Sequence, residues 1–410
     1  MLRRLLSGVI AWVAFLAAAG YASTLPIQEG QSASESVRLG GIGTGWIEWL
    51  GEDGFGRIAI THNPSHPTPR QPGTFAAIWT EADGRSLARV MTRRPAYGLP
   101  AASQLERESA YPFEALRCAD LDLPVSISLR AFSPLVPHDV WSSAIPVVLL
   151  TFTIRNVSRA PVGASVALSW QTTLGTGGGP GLGTFSDRSR VRAEPVTSVP
   201  GMAGVRFDGP ELLDQPVGDL RMHNARGSQA LVAAYPTSDA EVTTASWNAA
   251  DRAPDWWPAF ELEGRVDVDA ALGREGQVHP AGVAAVRLNL RAGEVRDISF
   301  AVAWHSPRAY VGMPPSAATE ASEPNRVSRR SDTRSAFFDV SPPYVSRFAD
   351  AVAVARLALE DRAALAALSA EWQALFQRSV AGRTALDGLT HELNAAIASV
   401  AWRKPVPDDG

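Results

Sequence analysis

The chain has 410 residues, 45% of them hydrophobic, and sets 38 basic against 42 acidic side chains for a formal net charge of -4. That length and balance describe a globular protein of one large or two ordinary domains and exclude a disordered or collagen-like chain. The slight acidity supplies no basic face of the kind a nucleic acid requires, so no nucleic-acid partner is expected.

Arg3 and Arg4 precede the apolar run LLSGVIAWVAFLAAAG, and Tyr21 and Ala22 follow it. Basic residues, a short apolar stretch and small residues form the pattern of an export signal, so residues 1–22 are read as a signal peptide. The expected location is periplasmic or secreted, with a retained N-terminal membrane anchor as the alternative. No later stretch approaches the ~20 apolar residues of a membrane span.

Residues 37–64, VRLGGIGTGWIEWLGEDGFGRIAITHNP, open the folded part with a cluster of glycines. A phosphate-binding loop needs a Lys followed by Ser or Thr after its last glycine, and the only lysine is Lys404. A dinucleotide fingerprint needs a third glycine where this chain has Trp46. A β-hairpin remains: Trp46 to Leu50 alternate, Gly51 to Gly54 are turn residues, and Phe55 to Ile60 resume a strand. The second glycine cluster, GTGGGPGLGTFS at 175–186, also lacks the lysine and reads as a loop tip.

Downstream, VVLLTFTIRN (147–156), VGASVALSW (162–170), GVAAVRLNL (282–290) and VRDISFAVAW (295–304) are rich in β-branched and aromatic residues and bounded by turn formers. Many such runs without helical periodicity predict a mainly β fold, a large antiparallel sandwich (a super-sandwich) over 37–306. Residues 187–250 are not assigned. Residues 307–340 read as a linker, without apolar periodicity over most of their length. Val345, Phe348, Val352, Leu365, Leu368, Trp372, Leu375 and Phe376 then recur at helical spacing, as do Leu386, Leu389, Leu393, Ile397 and Val400, predicting about two helices over 341–404. Two short amphipathic helices need something to cover their apolar faces, either the sandwich or a packing partner.

Candidate chemistry is sparse. Cys118 is the only cysteine, which excludes an intrachain disulfide and a cysteine-based zinc site. His62 and His66 flank Asn63 and Pro64, and a proline-interrupted loop does not place them on one helical face, so no metal is expected. No cofactor motif is present. Carboxylates that could act are Glu48, Glu52 with Asp53, Glu106 with Glu108, and Asp251 with Asp255. Asp255, Trp256 and Trp257 are the candidate substrate-binding residues, an acceptor beside aromatic faces that suit a pyranose ring, against the commoner alternative of tryptophans buried in a sandwich.

LGGIGTGWIEWLGEDGFGRIAITHNP resembles the opening motif of the N-terminal domain of glycoside hydrolase family 116, the family of non-lysosomal glucosylceramidase and related β-glucosidases. AFSPLVPHDVWSSAIPVVLLTFTIRNVS (131–158), DWWPAFELEG (255–264), FAVAWHSPR (300–308), and AEWQALF (370–376) with LTHELNAAI (389–397) resemble further family stretches in the same order. The resemblance implies a β-sandwich buttressing an (α/α)6 barrel that hydrolyses β-glucosides with retention, acting on carbohydrate or glycolipid. Retaining chemistry needs two carboxyl groups about 5 to 5.5 Å apart, and the resemblance places both in the barrel. The expectation is therefore a chain whose catalytic barrel is absent, with no catalytic residue of its own. A stand-alone carbohydrate- or protein-binding module is the alternative.

Overall fold

The computed structural model describes residues 36–60, 67–179, 183–186, 188, 191–197, 199–209, 227–235, 239–250, 252–266, 279–307, 309–312, 337–341, 343–379 and 404–405. The predicted sandwich is present as two antiparallel sheets. One holds five strands: β4 (Phe75–Ala82), β5 (Arg85–Val90), β10 (Val162–Gln171), β16 (Ala240–Asn248) and β17 (Pro280–Leu290), in the order β16-β17-β10-β4-β5. The other holds eight: β6 (Leu105–Ala110), β7 (Phe113–Cys118), β8 (Val125–Phe132), β9 (Val147–Asn156), β13 (Arg192–Val196), β14 (Met202–Asp208), β15 (Ser228–Ala234) and β18 (Val295–His305). Their order is β13-β14-β15-β18-β9-β8-β7-β6. The unassigned stretch 187–250 thus supplies β13 to β16, the middle two of which lie inside the larger sheet.

The glycine-rich opening forms a small sheet of β1 (Val37–Leu39), β2 (Ile47–Trp49) and β3 (Phe55–Ile58), with one turn of 3-10 helix at Gly51–Asp53. The hairpin reading of Trp46 to Ile60 therefore holds. The second glycine cluster carries a short hairpin, β11 (Thr176–Gly179) with β12 (Gly183–Ser186). Within 307–340 lies β19 (Ala309–Gly312), paired with β20 (Phe337–Ser341), which in turn pairs with β21 (Lys404–Pro405).

The two sheets meet over a core that includes Ile78, Leu150, Phe152, Val166, Leu168, Val286, Phe300 and Val302. Their outer faces are covered as well. Helix α1 (Val140–Ser143) is a single turn in the loop before β9, and α2 (Trp257–Glu263) lies over the outside of the five-stranded sheet. Helices α3 (Ala351–Glu360) and α4 (Arg362–Ser379) follow. Ala351, Val354, Ala355, Ala358 and Leu359 of α3 pack on Val147, Leu149, Ala230, Val232, Ala301 and Ala303 of the larger sheet. Alanine on both sides lets helix and sheet approach closely. Burial on both faces also explains why β9 and β18 read as nearly unbroken apolar runs, since neither face needs polar residues.

α4 behaves differently. It buries Leu365 and Ser369, and Ser369 Oγ accepts the Leu135 N–H at 3.1 Å. Trp372 stands edge-on to Tyr111, while Leu368 and Leu375 are 44% and 55% exposed. So α3 is covered by the sandwich, and α4 shows part of its apolar side to solvent. The predicted helix at 386–400 lies outside the described residues.

Candidate functional end of the sandwich

Antiparallel pairing brings one set of strand ends together. β15 begins where β18 ends, with Ser228 opposite His305, and β9 begins near the same point, with Val147 opposite Ala303. In the facing sheet β10 ends beside the starts of β4 and β17, with Ser169 opposite Phe75 and Gln171 opposite Ala281. Side chains tie the two sheets together here, since Gln229 Oε1 accepts Trp170 Nε1–H at 3.2 Å and the Thr172 hydroxyl at 2.9 Å. The glycine turn 40–45, the loop 133–146, the residues after β10 and those after β18 all gather at this end.

The glycine turn is held by backbone hydrogen bonds. Ile42 N–H donates to Ser143 O at 2.7 Å and Thr44 N–H to Gly41 O at 3.0 Å. A Cβ on Gly41 would stand 2.3 Å from Ile145 O, so the loop 133–146 can seat only against glycine. Gly45 has φ of +101°, a conformation that favours glycine, and Ala59 O lies 2.5 Å from where its Cβ would be. From the core, Trp304 Nε1–H donates to Thr44 O at 2.7 Å. Glycines are required because two chain segments press on the turn, and the Ile42 and Thr44 amides are spent within the protein.

Behind the turn, Glu48 is 3% exposed and accepts from Arg57 at three points: Nη2 at 2.9 Å, Nε at 3.0 Å and the backbone N–H at 3.1 Å. Burial alone would raise the Glu48 pKa, but the Arg57 hydrogen bonds and the positive charges of Arg57 and Arg38 outweigh it and hold the carboxyl below the usual glutamate range. A carboxyl held ionised in this way is no general acid. Among the described residues the other candidate carboxylates form ion pairs or are exposed. Glu52 pairs with Arg93, Asp53 with Arg94 at 3.3 Å and Glu108 with Arg117 at 3.5 Å, while Glu106 is exposed. His62, His66 and Asp251 lie outside the described residues. Among the described residues no group of three or more His, Cys, Asp or Glu side chains could hold a metal.

The three predicted substrate-binding residues separate. Trp256 is 0% and Trp257 5% exposed, whereas Asp255 points outward and pairs with Arg252 at 3.5 Å. Trp256 stacks on Phe75 at 5.8 Å and meets Trp247, Trp257 and Phe260 at 5.8 to 6.2 Å between ring centres. Both indoles are core of the α2 layer, so the exposed sugar platform expected at Trp256 and Trp257 is corrected to a buried aromatic cluster. Among the described residues the exposed aromatic at this end is Trp141 of α1, 56% exposed beside Val140 at 49%. Asp139 caps that turn through Ser142, and Arg347 Nη1–H donates to Trp141 O at 2.9 Å.

A buried polar network, not singled out in the sequence, fills the rest of this end. Gln229 Nε2–H donates to Thr173 Oγ1 at 2.8 Å, and Thr176 Oγ1 donates to Thr173 O at 2.6 Å and meets Thr68 Oγ1 at 3.1 Å. Gly73 N–H donates to Gln171 Oε1 at 2.9 Å, and Ser169 Oγ donates to Gly73 O at 2.7 Å. Gln71 Oε1 accepts Arg188 Nη2–H at 2.8 Å. Arg188 is 6% exposed, and burial lowers its pKa to about 10. The run Gln171-Thr172-Thr173 closing an otherwise apolar strand is the one sequence signal of this network. At the opposite end of the larger sheet a groove of about 530 Å³ is lined by Tyr235, Arg296, Asp297, Glu360 and Arg362 among others. Arg296 there is already paired with Glu294 at 2.7 Å and with Asp239.

No curated protein matches the chain. Among solved structures it is similar to one described as a kojibiose phosphorylase from the human microbiome, with 10% identity, TM-score 0.40, and coverage of 89% of this chain and 39% of that one. It is also similar to a polysaccharide lyase (11% identity, TM-score 0.30, 67% and 33% covered). A third is described as an aldose 1-epimerase from Escherichia coli K12 (11% identity, TM-score 0.30, 66% and 99% covered). The chain thus spans 39% of the length of the phosphorylase and 33% of the lyase. Residues 36–365 match the family model described as beta-glucosidase 2, glycosyl-hydrolase family 116 N-term. With most of its length inside that match, the chain belongs to the glycosyl-hydrolase family 116 N-terminal domain family.

Proposed function

We propose that this chain is the β-sandwich module of an exported β-glucosidase- or glucosylceramidase-like glycoside hydrolase, and that it supports a catalytic (α/α)6 barrel without hydrolysing substrate itself. The observation that carries this reading is the family match over residues 36–365. In this reading the two carboxyl groups of retaining hydrolysis belong to the barrel. The module contributes a rigid surface: the glycine turn fixes loop 133–146, that loop fixes α4 through the bond from Leu135 to Ser369, and α4 presents Leu368 and Leu375 outward. The role of the Arg57-bound Glu48 is to keep this surface in place. Export rests on the basic, apolar and small-residue pattern of 1–22.

The test is association. The purified chain is mixed with the isolated (α/α)6 domain of a family 116 β-glucosidase, and amide hydrogen exchange is followed. Slowed exchange in 133–146 and α4, lost in the Leu368→Glu, Leu375→Glu double variant, is the expected result. Unchanged exchange throughout both regions would reject the supporting role.

A further inference from the structure

The outer face of the larger sheet changes character where α3 ends. Side chains alternate along a strand, so Val295, Asp297 and Ser299 of β18 share the face on which Ala301 and Ala303 pack against α3. Their neighbours on β9 follow the same division: Val147 and Leu149 lie under the helix, whereas Thr151 and Thr153 stand opposite Ser299 and Asp297. α3 stops at Glu360, and beyond it Asp297 and Ser299 become lining of the groove of about 530 Å³.

The helical wall of the groove is fixed. Asp361 alone separates α3 from α4; its N–H donates to Leu357 O and its carbonyl accepts the Leu365 N–H, both at 3.0 Å. Glu360 and Arg362 are therefore held at two helix ends, and Arg362 Nη1–H donates to Leu359 O at 2.6 Å. Tyr235, half-buried just after β15, and Val295, 50% exposed, bring an aromatic ring and an aliphatic surface to the same lining.

This groove has both room and unused groups. Its volume falls within the roughly 300 to 1,000 Å³ of small-molecule sites. Asp297 spends Oδ1 on Thr153 and Glu360 spends Oε1 on Arg356, which leaves Oδ2 and Oε2. Among the described residues nothing bonds the Tyr235 hydroxyl or the Nε and Nη2 of Arg362. The lining holds two carboxylates, Asp297 and Glu360, and two guanidiniums, Arg296 and Arg362, so it favours neither an anion nor a cation. Carboxylate acceptors, a planar fork of donors and an aromatic ring together match an uncharged ligand whose adjacent hydroxyls donate and accept and whose other face is C–H.

We propose that this groove is a non-catalytic binding site for a neutral saccharide, with its hydroxyls met by Asp297, Glu360 and Arg362 and its C–H face by Tyr235. The groove lies at the other end of the larger sheet from loop 133–146, so it can hold a sugar while that end is engaged. The class of ligand rests on the groups of the groove and not on the barrel-supporting reading.

Saturation-transfer NMR of the purified chain with cellobiose, lactose or maltose at millimolar concentration tests the site. At least one of these disaccharides should receive saturation, and sodium glucuronate less. Glu360 and Arg362 are exposed, so the Glu360→Ala, Arg362→Ala double variant should keep the Tm of the free chain while binding about tenfold more weakly or worse. Tyr235→Ala should also lose binding, and Tyr235→Phe, which keeps the ring, should lose less. Trp141→Ala, at the opposite end, should bind as the wild type does. No transfer to any of the three disaccharides, or transfer undiminished in the double variant, overturns the site. Stronger transfer to glucuronate than to all three overturns the neutral ligand. The readout is binding to this chain alone, so these failures are distinct from a failure to dock on the barrel.

Discussion

Arg57 holds both oxygens of the Glu48 carboxylate from the adjoining strand, with Nη2 2.9 Å from Oε1 and Nε 3.0 Å from Oε2. The two partners are unequally buried, the Glu48 side chain 5% and the Arg57 side chain 31% exposed. Removing the arginine therefore strands a buried anion, whereas removing the carboxylate leaves a cation that can turn to water.

Arg57→Met should accordingly cost about 3 kcal/mol, and Glu48→Gln less, roughly 1 to 2 kcal/mol, in urea unfolding at neutral pH. The pH dependence has a defined sign. Glu48 has a lowered pKa in the fold, so its contribution is fully present above the ordinary glutamate value of about 4.3 and is lost as pH falls through the folded value. The stability gap between wild type and Glu48→Gln should close below about pH 4.3, which stability curves measured across that range would show.

Gly45→Ala should destabilise by roughly 1 to 3 kcal/mol, since alanine is strained at a φ of +101° and its Cβ meets Ala59 O. Gly54→Ala, also at positive φ but with nothing within 4 Å of its Cβ, should cost less. Equal losses in thermal unfolding would mean that backbone conformation alone, without the pressure of neighbouring segments, selects glycine in the turn.

Trp256→Ala removes a fully buried indole touching four other rings and should cost about 3 to 5 kcal/mol. Glucosides added to the folded wild type should leave the fluorescence of this buried cluster unchanged. A saturable change that disappears in Trp257→Ala would reinstate the sugar platform.

The two sides of α4 should respond differently. Leu365→Ala, 5% exposed, should cost about 2 to 4 kcal/mol, and Leu375→Ala, 55% exposed, within about 0.5 kcal/mol. Chemical denaturation of the two variants decides whether α4 packs as described.

β9, β10, β17 and β18 are legible in the sequence because Val, Ile, Phe and Trp concentrate there between turn formers. Which face each residue takes is not, because both faces are buried and the usual alternation is lost. The same burial misleads at Trp256 and Trp257, since an aromatic pair beside an aspartate reads alike in a core and on a binding face; only the packing of Phe75, Trp247 and Phe260 separates the two. α3 and the start of α4 follow from helical spacing, but the seating of α3 depends on alanines that carry little periodic signal. Arg188 could not be found by spacing, because its partner Gln71 lies on a loop far away in the chain. The glycine turn was legible as a structural element for a local reason: phosphate-binding loops need residues this chain lacks.

The most direct measurement is hydrolysis of a nitrophenyl β-glucoside by the purified chain. The account predicts no nitrophenol release above buffer. Release that is abolished by substituting a single Asp or Glu within residues 37–306 would contradict it, and would place catalytic carboxylates in the sandwich itself.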